Sequence, residues 1–259
     1  MKGKHAIVTG GANGIGRCIA LEFLKTGVNV SIIDIDQKAG EELIVFVDSS
    51  ASFPGSLSFF HGDIADKFTL DKFLDTLLHT LSQPINFLIN NACLSRKGLL
   101  TGCSWEDFEY VQRVGVTAPY YLTNSLLQQE FLAMDASIIN IASTRGIQSQ
   151  ADTESYSAAK GGILALTHAM SISLAGRARV NAISPGWIDI QYGDHSKDDK
   201  AQHPAGRVGI PKDIANMVLF LCDDMKSGFI TGENIVIDGG MSKLMIYHND
   251  EGWKYSGLN

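Results

Sequence analysis

Residues 9–16 read Thr9-Gly10-Gly11-Ala12-Asn13-Gly14-Ile15-Gly16 and stand between two patterns of different period. Before them, 5–9 is a short apolar run of strand character; after them, 15–26 carries apolar residues at helical spacing. Gly10, Gly14 and Gly16 let a backbone turn tightly and approach a pyrophosphate, and the helix N-terminus behind them offers unpaired N–H groups and a favourable dipole. Glycine strings are common in plain turns; the place of this one, between a first strand and a first helix, gives it weight. The next strand, 29–33, runs into Asp34, 18 residues past Gly16. A carboxylate there accepts hydrogen bonds from both adenosine ribose hydroxyls and repels a 2′-phosphate. Neither Asn13 nor Ile35 supplies a cation to reverse that preference. The stretch predicts a dinucleotide site that takes NAD in preference to NADP.

Outward from this loop the same alternation continues. Strand-like runs fall at 5–9, 29–33, 57–61, 85–89, 137–141, 179–183 and 234–237, nearly continuous in Val, Ile and Phe. Such runs suit a parallel sheet covered on both faces. Helical stretches fall between them at 15–26, 37–47, 67–81, 105–131, 154–174 and 211–221. Repeated β-α-β order predicts an α/β fold: a single-domain, Rossmann-type, doubly wound parallel sheet of about seven strands with helices on both faces. No linker, charge block or repeat interrupts it, so 1–259 reads as one dinucleotide-binding and catalytic domain. Two stretches break the rhythm. The polar segment 186–206 has the length of a substrate lid. The tail 241–259 keeps Tyr247, Trp253 and Tyr255, three aromatics expected to dock on a surface.

The chain's 259 residues, 45% apolar and 19% charged, exclude a disordered or fibrous protein. A formal charge of −7 gives no electrostatic footprint for nucleic acid or an anionic membrane. Cys18, Cys93, Cys103 and Cys222 form no C-x-x-C pair, so no metal site is expected and a reducing cytosol fits. Met1-Lys2-Gly3-Lys4 leads into a short apolar run without signal-peptide character, and the uncharged stretch 161–176 is too rich in Ser, Thr, Gly and His for a membrane helix. A cytoplasmic location is expected.

The chemistry is carried further along. The fifth strand ends in Asn140-Ile141-Ala142-Ser143, and Tyr156-Ser157-Ala158-Ala159-Lys160 follows in the next helix. At i and i+4, Tyr156 and Lys160 share one helix face. A phenol is a poor base at neutral pH, and a cation held beside it favours the phenolate. Tyr156 can then take a proton from an alcohol as hydride leaves carbon, or return it to a ketone. Ser143 would hold the substrate oxygen near the phenol.

In these motifs the sequence resembles the short-chain dehydrogenase/reductase family, from Thr9 to about Asp238-Gly239-Gly240. The resemblance rests on Thr9-Gly10-x-x-x-Gly14-x-Gly16, Asp63-Ile64, Asn90-Asn91-Ala92, Ser143, Tyr156-x-x-x-Lys160, Asn181 and Pro185-Gly186. It implies that Asp63 and Ile64 hold the adenine, that Asn90, Asn91 and Ala92 line the coenzyme cleft, and that Lys160 also binds the nicotinamide ribose. Backbone after Pro185-Gly186, especially Ile188, would fix the carboxamide. The family commonly assembles as tetramers through the 105–131 and 154–174 helices. The second of these is apolar nearly all round here, so a homo-oligomer, tetramer or dimer, is expected.

Three positions depart from the family: Cys93 stands for its Gly, Ile190 for a Thr that would contact the coenzyme, and Gly115 for its active-site Asn. In the family that Asn kinks the helix and anchors a water leading to the lysine. Pro119, four residues later, has no N–H for the Gly115 carbonyl, and glycine in mid-helix costs about 1 kcal/mol relative to alanine. The helix is expected to break at Gly115, with its carbonyl turned to the site as the water anchor and with Gly115→Asn tolerated. Cys93 reads as a small buried hydrophobe. Trp187 is a candidate roof of the substrate pocket, with ordinary packing as the alternative. Arg145, Gln148 and His195 are candidate contacts for a polar substrate. The function so implied is NAD-dependent interconversion of a secondary alcohol and a ketone on a small polar hydroxy compound: a polyol, sugar or hydroxy acid. Two alternatives stand beside it, reduction of a 3-oxoacyl thioester and a catalytically weak NAD-binding sensor or assembly protein.

Overall fold

In the computed structural model, which describes residues 1–247, 249–252 and 254, seven strands form one parallel sheet. They are β1 (His5–Thr9), β2 (Asn29–Asp34), β3 (Leu57–His61), β4 (Ile85–Asn90), β5 (Leu132–Ile141), β6 (Ala178–Pro185) and β7 (Asn234–Ile237). Their order across the sheet is β3-β2-β1-β4-β5-β6-β7. The chain winds outward from β1 in both directions, so the order reverses between β1 and β4. Ligands of such sheets bind beyond the strand carboxyl ends at that reversal.

Alternating side chains explain why both faces must be covered. On one face Ala6, Val8, Ile32 and Ile89 pack with Phe23 of α1 (Gly14–Lys25), Leu43 of α2 (Gln37–Asp48) and Val218 of α8 (Pro211–Leu221). On the other, Ile7, Ile33, Leu88 and Ile138 meet Phe73 of α3 (Lys67–Thr80), Leu122 of α5 (Ala118–Gln128) and Met170 of α6 (Glu154–Ser173). Three short helices complete the chain: α4 (Trp105–Gln112), α7 (Lys197–Ala201) and α9 (Asp224–Ser227).

Two differences from the sequence reading, and one expected break, have local causes. β5 begins at Leu132 instead of 137, because a register shift opposite Ile85 and Phe87 and a left-handed Asp135 (φ 62°) divide its apolar pattern. The 105–131 helix is interrupted around Gly115, as expected: at Arg113–Thr117 the hydrogen-bond ladder widens and Ala118 N–H reaches back five residues to the Arg113 carbonyl. The next donor would be Pro119, which has none, and the proline falls in the first turn of α5, where none is needed. The segment 186–206 is not structureless: it holds α7, opened by a reciprocal capping box between Ser196 and Asp199. Of the tail aromatics, Tyr247 is exposed, and Trp253 and Tyr255 lie outside the described residues.

One buried group ties this sheet to pH. His5 on β1 is 7% exposed, with Nε2 2.9 Å from Ser31 Oγ on β2. Burial disfavours its charged form and pushes the imidazole down to about 4. The unfolded chain therefore binds the proton first, between the unperturbed value near 6.5 and about 4. Stability is full above about pH 6.5 and falls through that window by up to about 3 kcal/mol. Urea unfolding from pH 7 to pH 4 checks this, and His5→Asn should flatten the slope.

Candidate active site

The glycine loop is built by exclusion of side chains. Gly10 and Gly14 have positive φ, 62° and 52°, a backbone that other residues rarely adopt. Gly16 needs its missing Cβ for another reason: that carbon would overlap the Gly10 carbonyl oxygen and lie 2.6 Å from Asn91 Nδ2. Asn91 locks the arrangement, its amide donating to the Thr9 and Gly10 carbonyls at 3.0 Å each. Thr9 Oγ1 accepts from the backbone N–H groups of Asn91 (3.0 Å) and Ala92 (3.1 Å). At the start of α1 the Asn13 side chain does not cap the helix; it donates to Asp36 instead. No acidic residue occupies the first turn, so the helix presents its N–H groups to the cleft.

Asp34 ends β2 with its carboxylate half-exposed, one oxygen accepting from Ala12 N–H (2.9 Å) and the other from Asp36 N–H (3.0 Å). Each oxygen keeps a lone pair for a ligand hydroxyl. From here a cleft of about 590 Å³ runs along the strand ends to Ser143, Tyr156 and Lys160. All the expected coenzyme positions line it except Gly16 and Asn90. Gly16 acts from behind, by letting α1 close on the loop. Asn90 is a correction: it is buried under the cleft, its amide donating to Asn140 Oδ1 (2.8 Å), while Asn140 Nδ2 donates to Thr167 Oγ1 (2.9 Å). That chain fastens β4, β5 and α6 beneath the site.

At the other end, Lys160 is 4% exposed and donates to the Ile141 carbonyl at 2.7 Å, so β5 fixes its ammonium. The ammonium lies 5.5 Å from the Tyr156 ring centre and the Arg145 guanidinium 5.7 Å from it. Ser143 Oγ accepts from Arg145 N–H (3.1 Å), keeping its own hydrogen free to donate. The arrangement gathers a hydroxyl, a phenol and an ammonium at the cleft end, the inventory of a proton-transfer site.

Several other expectations fail on placement. Trp187 does not roof this cleft. Its ring stands 5.2 Å from that of His195 and 6.0 Å from that of His203, beside a separate cavity of about 400 Å³ lined also by Arg207 and Phe220. His195 is turned away too, with Nε2 2.9 Å from an Asp189 carboxylate oxygen. Gln148 is exposed and does not line the cleft. Cys93 is a half-buried wall of the cleft instead of a buried core residue. The sequence reading missed Leu94, Arg96, Tyr110 and Val114, which line the same cleft. Tyr110 donates to Asp63 at 2.9 Å and carries Arg96 5.1 Å from its ring centre; burial and the Asp63 carboxylate push its phenol up. The i, i+4 spacing of Tyr110 and Val114 was the available signal. Among the described residues no three His, Cys, Asp or Glu side chains gather to hold a metal ion, and no helix is long and apolar enough to cross a membrane.

Gly115 lies in the widened turn between α4 and α5, buried against α6. A Cβ there would stand 2.9 Å from Ala159 Cβ and 3.5 Å from Cys93 Sγ. Gly115 is thus where the turn meets the residue preceding Lys160, and it does not line the cleft.

With the geometry in place, similarity to known proteins becomes informative. A family profile described as enoyl-(acyl carrier protein) reductase matches residues 10–242. An uncharacterized oxidoreductase of Thermotoga maritima is 40% identical over 257 residues, covering 95% of this chain and 99% of that one. A 3-oxoacyl-[acyl-carrier-protein] reductase of Chlamydia pneumoniae is 34% identical, covering 93% and 97%. Among solved structures, an apo SCOR enzyme from Clostridium thermocellum matches with TM-score 0.89 and 47% identity over 99% of this chain and 100% of that one. A 4-hydroxyisoleucine dehydrogenase complexed with NADH matches with TM-score 0.80 and 26% identity over 93% and 100%. The chain belongs to the short-chain dehydrogenase/reductase family, oxidoreductases that act on CH–OH groups.

The Ala159 contact revises the expectation that Asn is tolerated at 115. Gly115→Asn must push the widened turn and α6 apart, and overpacking of this kind costs about 1–3 kcal/mol. The variant should unfold at lower urea concentration than the parent and turn over more slowly. Equal midpoints would show that the turn yields without cost.

Proposed function

We propose that this protein is an NAD-dependent dehydrogenase/reductase interconverting a secondary alcohol and a ketone, its substrate a small polar hydroxy compound such as a polyol, sugar or hydroxy acid. The observation that carries the reading is one cleft with Asp34 and the glycine loop at one end and Ser143, Tyr156 and Lys160 at the other. The residues fit a dinucleotide: Gly10, Gly14 and Gly16 keep side chains out of the loop, helix N–H groups stand without an acidic residue in the first turn, and the Asp34 carboxylate lines the same cleft. Asp34 favours NAD, since a 2′-phosphate would meet its charge; the NADH held by the 4-hydroxyisoleucine dehydrogenase is in keeping.

When bound, the nicotinamide accepts or gives the hydride of the carbinol carbon. The rest falls to the protein. Ser143 donates its hydroxyl hydrogen to the substrate oxygen and holds it against Tyr156. Tyr156 takes the proton from the alcohol, or delivers it to the carbonyl oxygen. Lys160 spends one N–H on Ile141 and keeps two, for ribose hydroxyls and for charge beside the phenol. Arg145 on the Tyr156 ring and Arg96 in the cleft wall add the positive character that suits a polar substrate. The acyl-carrier-protein reductases among the relatives make 3-oxoacyl thioesters the second class to test. A homo-oligomer belongs to the same proposal. Ile163, Met170 and Leu174 of the α6 region turn inward, while Ala158, Ala165, Ala169 and Ile172 remain exposed as a strip a second copy would cover.

The decisive variant is Tyr156→Phe, which keeps the ring and removes the proton. With a panel of polyols, sugars, hydroxy acids and a 3-oxoacyl thioester, turnover should drop by about 10²–10⁴ while NAD binding is unchanged. Near-parental turnover would remove Tyr156 from the acid–base role. For the coenzyme, titration should give tighter binding of NAD than of NADP, and Asp34→Ala should narrow the ratio by about tenfold or more. Equal or tighter binding of NADP to the parent would overturn the assignment.

A further inference from the structure

The second glycine of a dinucleotide loop marks where a pyrophosphate comes up to the backbone. In this chain that place is covered. A Cβ on Gly14 would point at Ile190, with Cγ2 3.3 Å, Cδ1 3.7 Å and Cβ 3.8 Å away, and these are its three nearest atoms. The first turn of α1, which Gly14 opens, carries no acidic residue, and Asn13 turns its side chain to Asp36, so N–H groups suited to an anion begin at the glycine that Ile190 faces.

Ile190 is held there by its own segment. Ile188 bridges to Gly209; Asp189 N–H donates to the Gly209 carbonyl (2.9 Å), and Gly209 N–H donates to the Trp187 carbonyl (3.1 Å). Beyond it the Asp189 carboxylate gathers the N–H groups of Gln191 (2.8 Å) and Gly193 (2.7 Å) together with His195 Nε2 (2.9 Å). Within this turn Tyr192 has φ 56°, a costly value for a residue with a side chain. A β-branched side chain has few χ1 choices, so Ile190 clears Gly14 by motion of the 189–193 turn more readily than by a change of rotamer. At 54% exposure the contact is modest, which makes it reversible.

We infer that Ile190 is an apolar gate on the pyrophosphate site: it closes over the first turn of α1 in the free protein and must be displaced before a dinucleotide seats. A hydroxyl at this position would donate to a phosphate; the isoleucine offers no hydrogen bond and competes for the space. The inference rests on the coenzyme reading above and adds to it a cost on entry set by one side chain.

Dissociation constants measured by calorimetry for NAD, ADP-ribose and adenosine, on the parent, Ile190→Ala and Ile190→Thr, test it without turnover. NAD and ADP-ribose should bind about fivefold more tightly to Ile190→Ala, the value for exposing the half-buried part of one isoleucine. Ile190→Thr should bind them at least as tightly, since it adds a donor. Adenosine, which ends before the pyrophosphate, should bind all three proteins alike. Unchanged or weaker NAD and ADP-ribose binding in both variants would overturn the gate, and so would an equal gain for adenosine, which would mean general loosening of the cleft. If no variant binds NAD or ADP-ribose, the coenzyme reading falls and the gate with it.

Discussion

A single carbon atom added to Gly16 would overlap the Gly10 carbonyl oxygen, and much of the molecule depends on that closeness. It brings the first turn of α1 down onto the end of β1, where Asn91 from β4's C-terminal end clamps the two loop carbonyls. Strand order reverses between these same two strands. The helix dipole, the sheet's reversal and the loop's unpaired N–H groups thus converge because one residue has no side chain. Asp34 joins them through the Ala12 N–H inside the loop, so the group proposed to choose the coenzyme is held by the loop proposed to bind it.

The opposite end of the cleft obeys a different constraint, the cost of burying a charge. Lys160 is almost wholly enclosed, and its hydrogen bond to the Ile141 carbonyl offsets part of that cost while fixing α6 to β5. Beneath it the Asn90–Asn140–Thr167 chain fastens the same elements. The Tyr156 ring then has two cations, Lys160 and Arg145, at similar distances from its centre. Site and scaffold are not separable here, since the bonds that place the ammonium also join helix to sheet.

What could be read in advance follows from how local each cause is. β1, β3 and β7 are uninterrupted short runs, and their bounds agree with those read from composition. β5 is hidden by Asp135, whose left-handed backbone is a fact of register with β4 and not of propensity. The glycine loop and the Tyr156–Lys160 spacing are likewise local, and the structure brings them to one cleft. Trp187 directly follows the Pro185-Gly186 turn, yet neither it nor His195 lines that cleft. The segment after Gly186 turns instead toward Gly209 and its own Asp189, a pairing set by tertiary contacts. Arg96 and Tyr110 carry no motif, and only the fold sets them beside Asp63.

Ile190, Gly115 and Cys93 share a direction. Ile190 sets hydrocarbon against Gly14 at the start of α1, Gly115 has no side chain, and Cys93 sets its sulfur beside the space a side chain there would enter. The physical consequences differ. Near Gly115 the contact with Ala159 is internal to the fold, so its effect falls on stability and on the spacing between the widened turn and Lys160. Over Gly14 the contact is between a surface turn and a ligand site, so its effect falls on occupancy. Hydrocarbon over free N–H groups leaves those donors without a strong acceptor, and an anion remedies this only after the hydrocarbon moves. On the proposed reading, affinity for the coenzyme is the difference between those two quantities, and the chain sets it with a residue that makes no bond to either.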